Sequence, residues 1–373
     1  MPANKYIIPE LPLPYDLETR AVLKQLNRAN KKLAELKGVA LTIPNESILI
    51  STLTLQEAKD SSSVENIVTT QDDLFKEDLE IQDQISNAAA KEVLNYRRAL
   101  QAGFDLVKKH KLLTCNTIQA IQSELEANRA GFRAIPGTCL KDSQGKVVYT
   151  PPQEYDEIVK LMSNLEKFIN DETISDIDPL IKLAIVHHQF ESIHPFFDGN
   201  GRTGRIINIL MLVTNDLLDL PILYLSRFIT HNKERYYQLI QAIRDKEGDN
   251  SREWEEWILF MLEGIEETSE NTILLIKSIS VLMTKFKIRL KQLLGNKYKH
   301  DLLNNLFRHP YTKIEYVEKD MLVTRQTASK YLDKIVKDGL LTKMKLGKDN
   351  YYINNDLFRL FINQGYVKKQ SEL

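Results

Sequence analysis

The sequence predicts a mainly α-helical chain: a helical body with a small β-hairpin arm, followed by a C-terminal winged-helix module. Three observations carry this. Apolar residues recur at three- and four-residue steps through most of the first 290 residues. Short β-branched and aromatic runs, ended by Gly or Pro, fall at Gly145–Pro152 and at Leu341–Ile353. Three short helical stretches precede the second of these runs, which is the winged-helix order.

Residues 1–45 contain five prolines and read as an extended arm followed by a helix from Leu17 to Leu36. Residues 51–110 read as long amphipathic helices, with an apolar stripe from Leu74 through Leu79, Ile81, Ile85, Val93, Tyr96, Leu100 and Phe104 to Val107. A short helix is expected at 117–127, then the hairpin arm, then helices at 155–170 and 179–193. Asp178 is the natural N-cap of the latter and Pro179 its first residue. After a loop from His194 to Gly201 come helices at 202–217, 232–245 and 251–290. In the tail, helices at 299–308, 314–320 and 325–338 lead to a hairpin around Gly347, with Thr324 capping the last helix. The expected division is an N-terminal helical region at 1–110, a helical core with the hairpin arm at 111–265, and a linker helix with winged helix at 266–373.

At 373 residues, 43% hydrophobic and 27% charged, the chain has material for two to three domains and is not a disordered polymer. Its longest apolar stretch, Ile206–Leu225, is broken by Asn208, Asn215, Asp216 and Asp219, so no membrane span is expected. The N-terminus lacks the layout of a secretory leader, and Cys115 and Cys139 do not form a disulfide framework, so a reducing cytoplasm is expected. The net charge of −1 hides an asymmetry. Residues 281–373 carry 19 Lys+Arg against 9 Asp+Glu, while the rest carries −11. A basic module on an acidic body points to a phosphate-backbone partner, here DNA through residues 299–353; a solvated lysine-rich surface is the plainer alternative. Arg325, Gln326, Ser329 and Lys330 lie where a recognition helix meets the major groove.

Chemistry concentrates in His194-Pro-Phe-Phe-Asp-Gly-Asn-Gly-Arg-Thr-Gly-Arg205. Three of the chain's 14 glycines, Gly199, Gly201 and Gly204, fall within six residues here. Glycines let backbone N–H groups approach an anion, and a helix N-terminus behind them adds its dipole. Arg202 and Arg205 share one face of the first helical turn, offering two guanidinium forks to a polyphosphate. Asp198 suits Mg²⁺, which takes one or two carboxylates beside phosphate oxygens. His194 can accept a proton from an attacking hydroxyl, and Phe196 can pin the loop to the core. Together these residues spell phosphoryl or nucleotidyl transfer from a metal-bound nucleotide to a hydroxyl. A zinc site from His187, His188, His194 and Asp198 would leave the arginines and glycines without a purpose. The chain carries no P-loop signature.

This stretch, with the preceding His187-His-Gln-Phe-Glu-Ser-Ile, resembles the signature of the Fic-domain adenylyltransferases. The resemblance covers roughly residues 40–265, and a winged-helix tail also occurs in some members. It implies a Fic-type helical bundle, and transfer of AMP from ATP to a Tyr, Thr or Ser hydroxyl of a protein, including the enzyme itself. His194 then matches the general base and Asp198 the Mg²⁺ ligand. Gly199, Asn200, Gly201 and Arg202, with Thr203 and Gly204, match the phosphate cradle, and Arg205 matches the γ-phosphate ligand. Tyr236 matches a position near the adenine. Val147, Val148, Tyr149, Thr150 and Pro151 resemble the flap that positions the target by strand addition.

Ser61-Ser-Ser-Val-Glu65-Asn66 resembles the family's inhibitory motif, which implies that Glu65 pairs with Arg205 and obstructs the γ-phosphate. Read without the resemblance, Ser62-x-x-Glu65 is a capping box that would start a helix. Two further readings stay open: removal of AMP as the reverse activity, and a DNA-binding regulator that uses the Fic body as a nucleotide sensor. Homodimer formation is also left open.

Overall fold

The structure, a computed structural model, describes residues 6–70, 73–74, 88–142, 144–346 and 349–362. The chain divides into two compact units, one of residues up to 34, 57–67 and 95–269, the other of 35–56, 68–94 and 270 onward.

The first unit is helical apart from one hairpin. It draws on α1 (Arg20–Ala40), α2 (Glu46–Val64) and α3 (Ala88–His110), then α4 (Cys115–Glu126), β1 (Leu140–Lys141), β2 (Val147–Tyr149), α5 (Tyr155–Asn170), α6 (Pro179–Ile193), α7 (Asn200–Thr214), α8 (Leu225–His231), α9 (Lys233–Asp245) and the start of α10 (Ser251–Leu294). α6 is buried around almost its whole circumference, the signature of a central helix. It starts as the sequence indicates: the Asp178 carboxylate accepts the Leu180 N–H at 2.8 Å and Pro179 takes the first turn. α7 packs on α6 through Gly204, where a Cβ would come within 3.1 Å of Phe190 and Glu191. Gly103 does the same for α3, since a Cβ there would lie 2.8 Å from Leu210 and 2.9 Å from Ile121. The expected stripe of α3 is buried at Val93, Tyr96, Leu100, Phe104 and Val107, while Leu79, Ile81 and Ile85 lie outside the described residues. α7 begins two residues before the expected start at 202 and ends at Thr214, before the expected 217. α8 was not expected from the sequence. It is short and uncapped, and it exists by burying Leu225, Phe228 and Ile229.

The second unit contains the later part of α10, then α11 (His300–Arg308), β3 (Tyr311–Lys313), α12 (Ile314–Met321), α13 (Arg325–Lys337), β4 (Thr342–Leu346), β5 (Asp349–Ile353) and α14 (Asn355–Ile362). The strands form an antiparallel sheet in the order β3-β5-β4, with Ile353 opposite both Tyr311 and Thr342. Thr324 caps α13 as expected, its hydroxyl accepting the Thr327 N–H at 3.4 Å. Ala328, Leu332 and Ile335 turn inward; Arg325, Gln326 and Lys330 are exposed. Strand β3 and helix α14 add to the elements expected here. Buried Asn305 joins three of these pieces, donating to Asp320 at 2.6 Å and accepting from the Thr312 hydroxyl at 2.7 Å. Among the described residues no helix is long and apolar enough to cross a membrane.

Candidate active site

The turn between α6 and α7 brings together most of the residues singled out from the sequence. His194 closes α6: its N–H donates to Phe190 O at 2.9 Å and its backbone is left-handed, at φ 49° and ψ 59°. Asn200 braces the turn on both sides, its Oδ1 accepting the Phe196 N–H at 2.9 Å and its Nδ2 donating to Phe196 O at 2.8 Å. The Asn200 side chain is therefore spent on the loop, and only its backbone N–H remains for an anion. Phe196 is fully buried against Phe132 and Phe190, with ring centroids at 5.4 and 6.4 Å. Gly199 sits at φ +76°, and a Cβ there would lie 2.6 Å from Glu126 Oε1. The first N–H groups of α7 have no side-chain cap, which leaves a donor set suited to phosphate oxygens. Thr203 is buried one turn on, with its hydroxyl unbonded among the described residues.

Arg202 and Arg205 are nearly fully buried, and one carboxylate holds both. Glu65 Oε2 accepts from Arg202 Nε at 2.9 Å, and Oε1 from Arg205 Nη2 at 2.8 Å. Arg205 also donates to the Ser61 hydroxyl at 2.7 Å and the Ser61 carbonyl at 3.0 Å. A Cβ on Gly201 would come within 2.5 Å of Glu65 Oε1, so the carboxylate lies directly against the glycine turn. Burial opposes the Arg205 charge, but Glu65 and the neighbouring Tyr and Glu groups raise its pKa regardless.

The capping-box reading of Ser62 and Glu65 fails, because these residues end a helix. α2 stops at Val64, the Asn66 N–H donates to Ser63 O at 3.1 Å, and the Ile67 N–H returns to Ser62 O at 3.0 Å. This is a Schellman closure with Asn66 at its left-handed position, φ 65°. The position suits Gly or Asn, and it fixes where Glu65 leaves the helix. Lys233 further holds the Asn66 side chain, Nζ to Oδ1 at 2.9 Å. One turn before Ser61, buried Glu57 accepts from Tyr96 OH at 3.1 Å and from the Ser226 N–H at 3.2 Å, which fastens this end of α2 to α3 and α8. Burial raises the Glu57 carboxyl to about 8.

Asp198 accepts the Gly199 N–H at 2.7 Å and lies 3.8 Å from Arg202 Nη2, but its side chain is 76% exposed. A single exposed carboxylate beside a phosphate cradle fits a hard cation that takes its other ligands from phosphate and water. The zinc alternative does not fit. His187 is bonded at both ring nitrogens, to Tyr236 OH at 2.8 Å and Asn208 at 3.0 Å, and His188 bonds Ile240 O at 3.2 Å. Among the described residues no group of three His, Cys, Asp or Glu gathers at one point.

Burial, with Arg244 and Arg133 adding to it, lowers the His194 imidazole to about 4. It is neutral at pH 7, and its Nδ1 has no hydrogen-bond partner among the described residues. Behind the cradle, burial raises Glu191 to about 7 against the pull of Arg205.

Tyr236, matched above to a position near the adenine, is a buried side chain. It is 1% exposed, its hydroxyl is on His187, and its ring packs with Trp257 and Phe260. Its neighbour Tyr237 is 47% exposed. In the hairpin, Val147, Val148 and Thr150 are exposed, while Tyr149 and Pro151 are buried. Tyr149 anchors the strand, donating to Ser192 O at 2.8 Å beneath the Arg244 guanidinium.

Sequence reasoning missed two residues here. Glu126 accepts from Arg202 Nη2 at 2.9 Å, and Arg133 donates from Nε to His194 O at 2.8 Å. Each lies more than 60 positions from its partner, so no local spacing announces it.

Three family models match along the chain in order. One described as Fic/DOC family N-terminal covers residues 23–105, one described as Fic/DOC family covers 112–212, and one described as the C-terminal domain of SoFic-like protein adenylyltransferases covers 282–357. A protein adenylyltransferase, fic-1, of Caenorhabditis elegans is 36% identical over 74 residues, 20% of this chain and 15% of that protein. A probable protein adenylyltransferase of Aquifex aeolicus is 36% identical over 99 residues, 26% of this chain and 27% of that protein. The matches thus span about a quarter or less of the length of these curated relatives. The crystal structure of a Fic family protein from Desulfovibrio desulfuricans superposes with a TM-score of 0.56 at 17% identity, over 91% of this chain and 97% of that one, a likeness of fold.

Proposed function

Because the chain belongs to the Fic/DOC family, we propose that it is a protein adenylyltransferase, moving AMP from ATP onto a Tyr, Thr or Ser hydroxyl of a target protein or of itself, and that Glu65 restrains it. The observation that supports this most is Glu65 gripping Arg202 and Arg205 together at the glycine turn. A carboxylate that satisfies both forks stands where a terminal phosphate would stand.

In the active arrangement Glu65 withdraws. Arg205 takes the γ-phosphate and Arg202, oriented by Glu126, takes the adjoining phosphate. The N–H groups of Asn200, Gly201 and Arg202 face the remaining oxygens, while Gly199, whose N–H is on Asp198, supplies the close turn. Asp198 would hold Mg²⁺, which when bound neutralises phosphate charge. Neutral His194 accepts the proton of the incoming hydroxyl as its oxygen bonds the α-phosphorus; pyrophosphate leaves. The exposed edge at Val147 and Val148 seats the target strand, and Tyr237 offers a ring to the adenine. The two unpaired cysteines fit a reducing cytoplasm.

Two labels test the reading. Protein should acquire label from α-labelled ATP and none from γ-labelled ATP; label from the γ position alone would make this a kinase instead. The pH profile offers an independent check. The imidazole accepts a proton only when unprotonated, so the rate should fall as the pH drops through about 4, the His194 value, where an ordinary histidine would already fail at about 6.5. A fall centred above pH 6 would contradict this environment.

We further propose that the second unit acts as a winged helix on duplex DNA. Arg325, Gln326 and Lys330 are exposed at the start of α13, in a region of net positive charge. A gel shift with duplex DNA should appear at low salt and vanish steeply as salt rises. No shift at low salt would leave this unit a protein contact or a solvated surface.

A further inference from the structure

Arg133 is 0% exposed, and among the described residues no carboxylate pairs with it. A buried guanidinium without an ion pair is costly to keep. Its bonds account for where it sits. Nε donates to His194 O at 2.8 Å, Nη2 to Ile193 O at 3.5 Å, and its own N–H to Pro195 O at 2.8 Å. One residue therefore holds three consecutive carbonyls at the end of α6. Ile193 O and His194 O are at the terminus of α6, where carbonyls lack intrahelical partners, Pro195 O follows just beyond it, and a cation there also meets the negative end of the helix dipole. Nη2 also donates to Pro152 O, immediately after the hairpin arm. Beside it, Phe132 packs on Phe196 of the same turn.

His194 needs such a clamp. A left-handed backbone at a residue with a Cβ costs roughly 1–2 kcal/mol and persists only where the surroundings over-determine it. We propose that Arg133 is a positioning residue that locks the His194 turn and ties it to the arm that receives the target, so that seating a target strand and aiming the imidazole share one guanidinium. The kinetic part of this inference rests on the transferase reading above; the geometric part does not.

The test uses the full chain with Glu65→Gly as parent, and adds Arg133→Lys or Arg133→Met. Affinity for Mg-ATP, measured by calorimetry, should stay near the parent's, because Arg133 touches no cradle group. The kcat for AMP transfer should fall on the order of 100-fold in Arg133→Met, the cost of a small misplacement of a reacting group. Arg133→Lys, which keeps the charge and can reach a carbonyl, should recover part of it. An NMR titration of the His194 ring adds a readout that needs no activity. Its midpoint should rise from about 4 in Arg133→Met and stay low in Arg133→Lys, since Arg133 is one of the charges holding it down. Unchanged kcat and an unchanged His194 midpoint in a folded Arg133→Met would overturn the proposal. So would equal losses of ATP affinity and kcat in both variants, which would make Arg133 merely structural. If the parent transfers no AMP, the transferase reading fails, and the His194 titration alone decides for or against Arg133 as the clamp.

Discussion

Replacing His194 with alanine is expected to lower AMP transfer by about 10²–10⁴-fold, the range lost when a positioned proton acceptor is removed. Nucleotide affinity should change little, because the imidazole acts on the incoming hydroxyl and not on the phosphates. The fold should survive as well. Alanine is somewhat less favoured than histidine in the left-handed conformation at φ 49°, but the carbonyls of the turn stay held by Arg133. Label incorporation in the Glu65→Gly background is the measurement, with thermal unfolding as the control. Incorporation within tenfold of the parent would remove His194 from the chemistry and turn attention to another proton acceptor close to the cradle, such as desolvated Glu191.

Glu65→Gly is expected to act in the opposite direction, raising incorporation on the order of 10–100-fold. The carboxylate makes two charge-assisted bonds, each worth about 1.5–3 kcal/mol, and an incoming γ-phosphate must displace at least one of them. Removing it frees Arg205 for the nucleotide and leaves that buried guanidinium with the Ser61 hydroxyl and carbonyl as its hydrogen-bond partners among the described residues. The variant should therefore unfold at a lower temperature when empty and gain more than the wild type from Mg-ATP. Parallel label-transfer and melting experiments check both halves. Equal incorporation in the two proteins would mean that the Glu65 pairing is structural support rather than a restraint.

The features legible in the sequence were those set by neighbours in the chain. The Asp178–Pro179 start of α6, the Thr324 cap of α13, and the clustering of Gly199, Gly201, Arg202 and Arg205 on one turn all follow from spacing alone. What escaped was set by distant partners. Strand β3 is three residues long and exists because β5 pairs with it. Helix α8 has no cap and stands on the burial of its apolar residues. Ser62 and Glu65 have the spacing of a helix start, yet the chain reaches them at a helix end, because Asn66 turns left-handed. Tyr236 and Tyr237 cannot be told apart by type; only the packing of Trp257 and Phe260 decides which ring is buried. Arg133 carries no local signal at all, since its carbonyl partners on the α6 turn lie some 60 residues away.

The most direct test of the central claim, that Glu65 stands in the place of the terminal phosphate, is calorimetric titration with Mg-ATP and Mg-ADP of the wild type and of Glu65→Gly. The wild type should bind the two nucleotides with similar affinity, because Arg205 is already taken. The variant should bind ATP at least about tenfold more tightly than ADP, the worth of one charge-assisted bond to the third phosphate. Equal affinities for ATP and ADP in the variant would contradict the account.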